Sequence, residues 1–186
     1  MSPILGIVAS SKPGIAPLQP DGAYDSLATV TVPAGGLSTI TFAGIPNTYK
    51  HLQIRGLMLS SSPNNDIVAR FNSDTGANYA LHNLYGANVS VVSYADPNIT
   101  YASLGFTGDT GPGPSVFITD LLDYSNTTKF KTLRTLNSNE RNATTRYVNV
   151  MSGLWRNTNA VNSITITHGA AVNFNEYSQF SLYGVK

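Results

Sequence analysis

Cysteine is absent from this sequence, which excludes disulfides, thiolate metal sites and cysteine nucleophiles, so the fold has to be stable without covalent staples. Charge is scarce too. Asp, Glu, Lys and Arg make up 11% of the 186 residues, against roughly 25% in an ordinary globular protein. The surface is therefore built from Ser, Thr, Asn and Gly, a composition suited to a protein held in an assembly, where Lys and Glu would have to be desolvated at every contact. Net charge is +1, which supplies no electrostatic drive toward nucleic acid or an anionic membrane. Hydrophobic runs are short. The run Ile4 to Ala9 lacks a basic leader and is far too short for a membrane span, so neither a secretory signal nor a transmembrane helix is predicted. Helical periodicity is missing as well.

What is present is alternation. Tyr49 to Leu59, YKHLQIRGLML, places Leu52, Ile54 and Met58 on one face with Gly56 between them, and Gln53, Arg55, Leu57 and Leu59 on the other. That is an inner strand of a sandwich, with short antiparallel partners on both sides. Ala28, Val30 and Val32 alternate with threonines, and so do Ile40 and Phe42 beyond a turn at Pro33 to Gly36, a pattern that predicts a hairpin. Ile67, Ala69 and Phe71 face the core opposite Val68, Arg70 and Asn72. Tyr79 to Tyr85 reads as a strand or a helical turn. Val89 to Tyr94 and Ile99 to Phe106 are strands on either side of Asp96 and Pro97, and Gly105 to Pro114 is a surface loop. Ser115 to Leu122, Phe130 to Leu136, Arg146 to Trp155, Ser163 to His168 and Gln179 to Val185 complete the strands, with Asn137 to Thr144 a mobile polar loop. Roughly ten short strands without a helix predict an all-β antiparallel sandwich of jelly-roll type.

Residues 1–22 stand apart from the single sandwich domain at 23–186. Pro13, Gly14, Pro17, Pro20 and Gly22 follow the apolar start, so the segment is predicted to be an extended arm. Ile4, Leu5, Ile7 and Val8 either pack as an edge strand on their own sandwich or tether the chain to a neighbouring subunit.

Few residues carry chemistry. Asp74 to Gly76 and Asp109 to Gly111 are both Asp-Thr-Gly, the triplet of paired-carboxylate hydrolases, but polar neighbours surround each and Asp-x-Gly is also a common turn. His51, His82 and His168 lack the close spacing of a metal pair. No nucleophile elbow or phosphate-binding glycine loop occurs. No catalytic residue, metal or cofactor is predicted. Tyr79, Tyr85, Tyr94 and Tyr101 cluster in sequence and are candidates to stack on a sugar or anchor a protein interface, the alternative being that they cap the core.

Five blocks carry a resemblance: ILGIVASS from Ile4, YKHLQIRGLML from Tyr49, LLDYSNTTKFKTLRTL from Leu121, GLWRNTNAVNSITI from Gly153 and FSLYGVK from Phe180. In this order they resemble tailed-bacteriophage virion structural proteins, described variously as head decoration, tail-associated or fibre-like. The resemblance implies a β-sandwich body, an N-terminal arm used for attachment, and self-association as a homotrimer or another small symmetric oligomer. It further implies a virion location after assembly in the bacterial cytoplasm, with other virion proteins as partners; the alternative reading, resting on the tyrosine-rich loops, is an appendage that binds a host-surface glycan or receptor. It brings no catalytic motif.

Overall fold

The computed structural model describes residues 22–62, 65–107, 114–139 and 147–186. Twelve strands run through them: β1 (Tyr24–Thr31), β2 (Thr39–Ala43), β3 (His51–Met58), β4 (Asp66–Phe71), β5 (Tyr79–Ala87), β6 (Ser90–Ile99), β7 (Ala102–Phe106), β8 (Ser115–Leu122), β9 (Lys131–Asn139), β10 (Tyr147–Trp155), β11 (Ser163–His168) and β12 (Gln179–Val185). They form two antiparallel sheets. One has eight strands in the order β1-β12-β3-β8-β9-β10-β5-β6, and the other has four in the order β2-β11-β4-β7. The expectation of an all-β antiparallel sandwich is met.

The alternation of hydrophobic residues explains where the core lies. β3 takes an inner place between β12 and β8, and Leu52, Ile54 and Met58 are fully buried. They meet Ile40, Phe42, Ile67, Phe71, Ile164 and Ile166 of the smaller sheet in one hydrophobic cluster. Gly56 has a specific task in that strand: a Cβ there would come within 2.1 Å of Phe117 Cε1, so the missing side chain lets the phenyl ring lie on the β3 backbone. Farther along, Trp155 packs edge-on to Phe71 at 5.5 Å and stacks with Tyr79 at 6.3 Å between ring centres.

Several local expectations are corrected. β1 and β2 do not form a hairpin. β1 pairs with β12 and β2 with β11, because the chain turns at Pro33 to Gly36 and crosses from one sheet to the other. Alternation buries one face of a strand equally well by pairing or by facing across the sandwich, so it does not identify the partner. Tyr79 to Tyr85 is strand, within β5. Asp96 and Pro97 do not interrupt a strand, since β6 continues through them and its pairing with β5 shifts there, between Tyr79 and Leu81. Proline is tolerated because β6 is the sheet edge. Asn137 to Asn139 belong to β9 rather than to a loop, with Asn137 and Asn139 buried. Gly105 and Phe106 end β7, so the loop predicted at Gly105 begins later. The rest of that loop at 108–113, the remainder of the polar loop at 140–146, and the arm with Ile4, Leu5, Ile7 and Val8 lie outside the described residues.

Gly105 shows how tightly the two sheets are pinned. Its φ is +129° and a Cβ would sit 2.4 Å from Asn137 Cγ. The Asn137 side chain accepts from the Phe106 amide at 3.0 Å and donates to the Val116 carbonyl at 3.0 Å. Gly105→Ala therefore adds backbone strain to a clash, and a loss of about 3 kcal/mol is expected. Gly86→Ala, with nothing within 4 Å of the added Cβ, is expected to stay within about 0.5 kcal/mol of the parent. Urea midpoints at unchanged slope check both.

Candidate functional site

Only one face of the eight-stranded sheet is needed for the core. On the outward face the register sets Arg55, Ile118, Leu136, Val150 and Leu84 side by side across five strands. The next row along the strands holds Leu57, Val116, Ser138, Val148 and Gly86. Leu57, Leu84, Val116, Ile118, Leu136, Val148 and Val150 are each between 41% and 56% exposed. Scattered apolar side chains on a surface are ordinary, but a contiguous strip marks a contact. β8 carried a sequence signal for it: Val116 and Ile118 alternate with Phe117 and Leu121, so both faces of one strand are apolar although the sandwich can cover only one.

A polar row borders the strip. Gln53, Asp120, Arg134, Ser152 and His82 follow one another in register, and the last four line, with Ile118, Leu136, Val150 and Leu84, an open groove of about 770 Å³. Gln53 Nε2 donates to Asp120 Oδ1 at 2.8 Å, and Arg55 Nε donates to Gln53 Oε1 at 2.7 Å. The Arg55 guanidinium lies 4.5 Å from the centre of the Tyr183 ring and 5.2 Å from that of Tyr24, so its charge is held against aromatic faces rather than free in water.

The four candidate tyrosines do not form one site. Tyr79 is a core residue with no exposed surface. Its hydroxyl donates to the Asp74 carbonyl at 3.2 Å and accepts from the Phe71 amide at 3.1 Å, and burial pushes the phenol up to about 12. A contact with an external ligand is therefore corrected for Tyr79. Tyr101, half-buried just before β7, donates to Asp66 Oδ2 at 2.9 Å while Ser103 donates to Asp66 Oδ1 at 2.9 Å. Burial raises the Asp66 carboxyl despite these two hydrogen bonds. Burial and then the Asp66 charge raise the Tyr101 phenol. Tyr85 and Tyr94 do come together, 6.4 Å apart and edge to face. Tyr147, which sequence reasoning missed, joins them 5.9 Å from Tyr85. With Phe106 and Asn149 these rings line a cleft of about 220 Å³. Only strand pairing brings Tyr147 to Tyr85, since they are far apart in the chain.

The catalytic candidates have structural occupations. Asp74 accepts from Trp155 Nε1 at 2.7 Å and from the Gly76 amide at 2.9 Å, which makes its triplet a turn that anchors the tryptophan. Asp109 lies outside the described residues. Ser60 Oγ is 2.8 Å from His168 Nε2, the spacing of a nucleophile and its base, but the protons run the wrong way. His168 Nδ1 accepts from the Ala170 amide at 3.0 Å, so the ring proton is on Nε2 and is donated to Ser60. A general base needs a free lone pair on that nitrogen. His51 Nδ1 accepts from the Asp123 amide at 2.9 Å, and His82 lies on the outward face of β5. Lys131 is fully buried and donates to the carbonyls of Asn126, Lys129 and Thr158 at 2.6, 2.8 and 3.1 Å. Desolvation lowers its pKa. Among the described residues no three His, Asp or Glu side chains gather as a metal site, and no helix is long and apolar enough to cross a membrane. No protein-family model, curated protein or solved structure matches the chain.

Proposed function

We propose that the protein is a non-enzymatic virion structural protein of the tailed-phage kind, which self-associates through the outward face of its eight-stranded sheet and docks on the particle through Ile4, Leu5, Ile7 and Val8. The observation that carries this reading is the apolar strip on that face. Burying such a side chain fully contributes about 1.5 to 3 kcal/mol, and here roughly half of each remains to be gained. A second copy of the chain is the occupant the face suits. Asp120 and Arg134 stand opposite each other in register, so a symmetry-related copy can set opposite charges against one another while the apolar rows meet. The low overall charge supports the same reading, since few ions have to be stripped of water in forming contacts. Capsid decoration or cement is the primary role. A tail or fibre appendage is the alternative, and the Tyr85–Tyr94 cleft is the observation that favours it.

Deleting residues 2–21 tests the arm, because every described strand is retained. The truncated protein is expected to keep the parent's thermal midpoint and oligomeric state while its incorporation into particles falls at least about tenfold, a change worth about 1.4 kcal/mol of binding. Incorporation equal to the full-length chain, measured by quantitative mass spectrometry of purified particles, would reject the arm as the attachment device.

A further inference from the structure

The cleft between Tyr85, Tyr94 and Tyr147 stands over a polar anomaly. Each of the three tyrosines has a buried asparagine directly across from it in register: Asn149 opposite Tyr85, Asn83 opposite Tyr94 and Asn139 opposite Tyr147. All three asparagines are 1% exposed, and Asn149 Oδ1, both amide atoms of Asn83, and Asn139 Nδ2 make no hydrogen bond. Asn83 is still near enough to the Tyr94 phenol to influence its ionisation, although burial, which raises it, is the larger effect. Leaving a buried polar atom unpaired costs about 1 to 3 kcal/mol, and three such residues behind one cluster of rings call for a reason.

Their neighbourhood supplies one. β7 is the last strand of the smaller sheet, so beyond it the inner face of β5 and β6 is a shelf without a covering strand among the described residues. Phe106 from the end of β7 and the tyrosine rings form apolar walls, and Asn149 lines the cleft beside them. Its Nδ2 is engaged with Asn137 Oδ1 at 2.9 Å, which fixes the amide plane and leaves Oδ1 as an oriented acceptor. Aromatic walls suit the C–H face of a sugar ring, while fixed amide donors and acceptors suit its hydroxyls. The volume fits one ring rather than an extended chain. Asp66 and Asp96 are the charges that act on Tyr94, and both would repel an anion.

We propose that this cleft is a binding site for a single neutral sugar ring, with Tyr85 and Tyr94 as the stacking surfaces and the Asn149 amide oxygen as a hydroxyl partner. This deepens the appendage role by naming its ligand class. It is independent of self-association, because the cleft and the apolar strip are on opposite faces of the sheet.

The test is titration of the full-length, isotope-labelled protein with glucose, galactose, N-acetylglucosamine, N-acetylgalactosamine and glucuronate, following the side-chain amide signal of Asn149 by NMR. At least one neutral sugar is expected to shift the Asn149 signal saturably, and glucuronate to bind more weakly. Tyr85→Leu is expected to weaken binding at least about tenfold, the effect of losing one stacked ring. The proposal is overturned if none of the four neutral sugars moves the Asn149 signal, if glucuronate binds as well as they do, or if Tyr85→Leu binds like the parent. Loss of particle incorporation has no bearing on any of these readouts.

Discussion

Leu136→Glu together with Val150→Glu is expected to produce a folded monomer at concentrations where the parent chain is an oligomer. The two positions are cross-strand neighbours at the centre of the strip, and both side chains are more than half exposed in the single subunit. Polar replacements there disturb the isolated fold little, by about 0.5 kcal/mol each. In an assembled face the same carboxylates would lose water with no partner of opposite charge on the apolar rows, and that penalty is several kcal/mol. A rise in dissociation constant of at least about a hundredfold follows, equivalent to about 2.8 kcal/mol. Sedimentation velocity over a concentration series reads it directly. Val89→Glu, on a fully exposed side chain in the turn between β5 and β6, controls for the added charge and should leave the oligomer intact. A parent that is monomeric throughout the series, or a double variant that associates as the parent does, would remove the strip from the assembly account.

Asp74→Ala should be the most damaging substitution of a partly exposed polar residue, with a loss of about 3 kcal/mol. The carboxylate accepts from Trp155 Nε1, from the Gly76 amide and, through both oxygens, from Asn78 Nδ2. Hydrogen bonds to a charged group contribute about 1.5 to 3 kcal/mol, and the wholly buried Trp155 would be left with an unpaired N–H. Desolvation pushes the Asp74 carboxyl upward, but the hydrogen bonds from Trp155, Asn78 and Gly76 together outweigh it and hold the group below its ordinary value of 3.8. The unfolded chain then binds the proton more tightly than the native one, so this contribution is complete above pH 3.8 and fades as the pH falls through the lower native value. The stability difference between the parent and Asp74→Asn should shrink accordingly in acid. Asp66 works in the opposite sense, because burial raises its carboxyl, and comparing the variant with the parent at each pH cancels that contribution. A difference that stays constant from neutral pH to pH 3 would show that the carboxylate's charge contributes nothing to the anchor.

The same two regions show how much could be read from the chain. The two-residue period placed Leu52, Ile54 and Met58 inside because a strand alternates its side chains whatever it pairs with. For the same reason Ser163 to His168 and Gln179 to Val185 coincide with β11 and β12. The Asp74 turn was legible as a turn, since Asp followed by a small residue and glycine makes local hydrogen bonds, yet nothing local tied it to a tryptophan 81 positions away. Tyr79 looked like its neighbours Tyr85 and Tyr94 in sequence, and the smaller sheet covers it while leaving theirs half-open. Lys131 looked like a surface lysine beside Lys129, and its amine is enclosed by carbonyls from two loops. Asn137 and Asn139 looked like loop because asparagine favours turns, and they are buried strand: the Asn137 amide bonds to β7, β8 and β10, and Asn139 Oδ1 accepts from the Tyr147 amide.

By itself the sequence determined that the chain is all-β, without covalent staples, sparsely charged, and built on strands with one dependable apolar face, because composition and side-chain period are local properties. Tertiary structure decided everything that depends on which strands become neighbours. It sent β1 and β2 into opposite sheets, gathered apolar residues from β3, β8, β9, β10 and β5 into one exposed strip, and set three tyrosines against three buried asparagines. Backbone pairing is nearly indifferent to side-chain identity, so partner choice follows from burying the whole set of apolar faces at once, and no single segment carries that information.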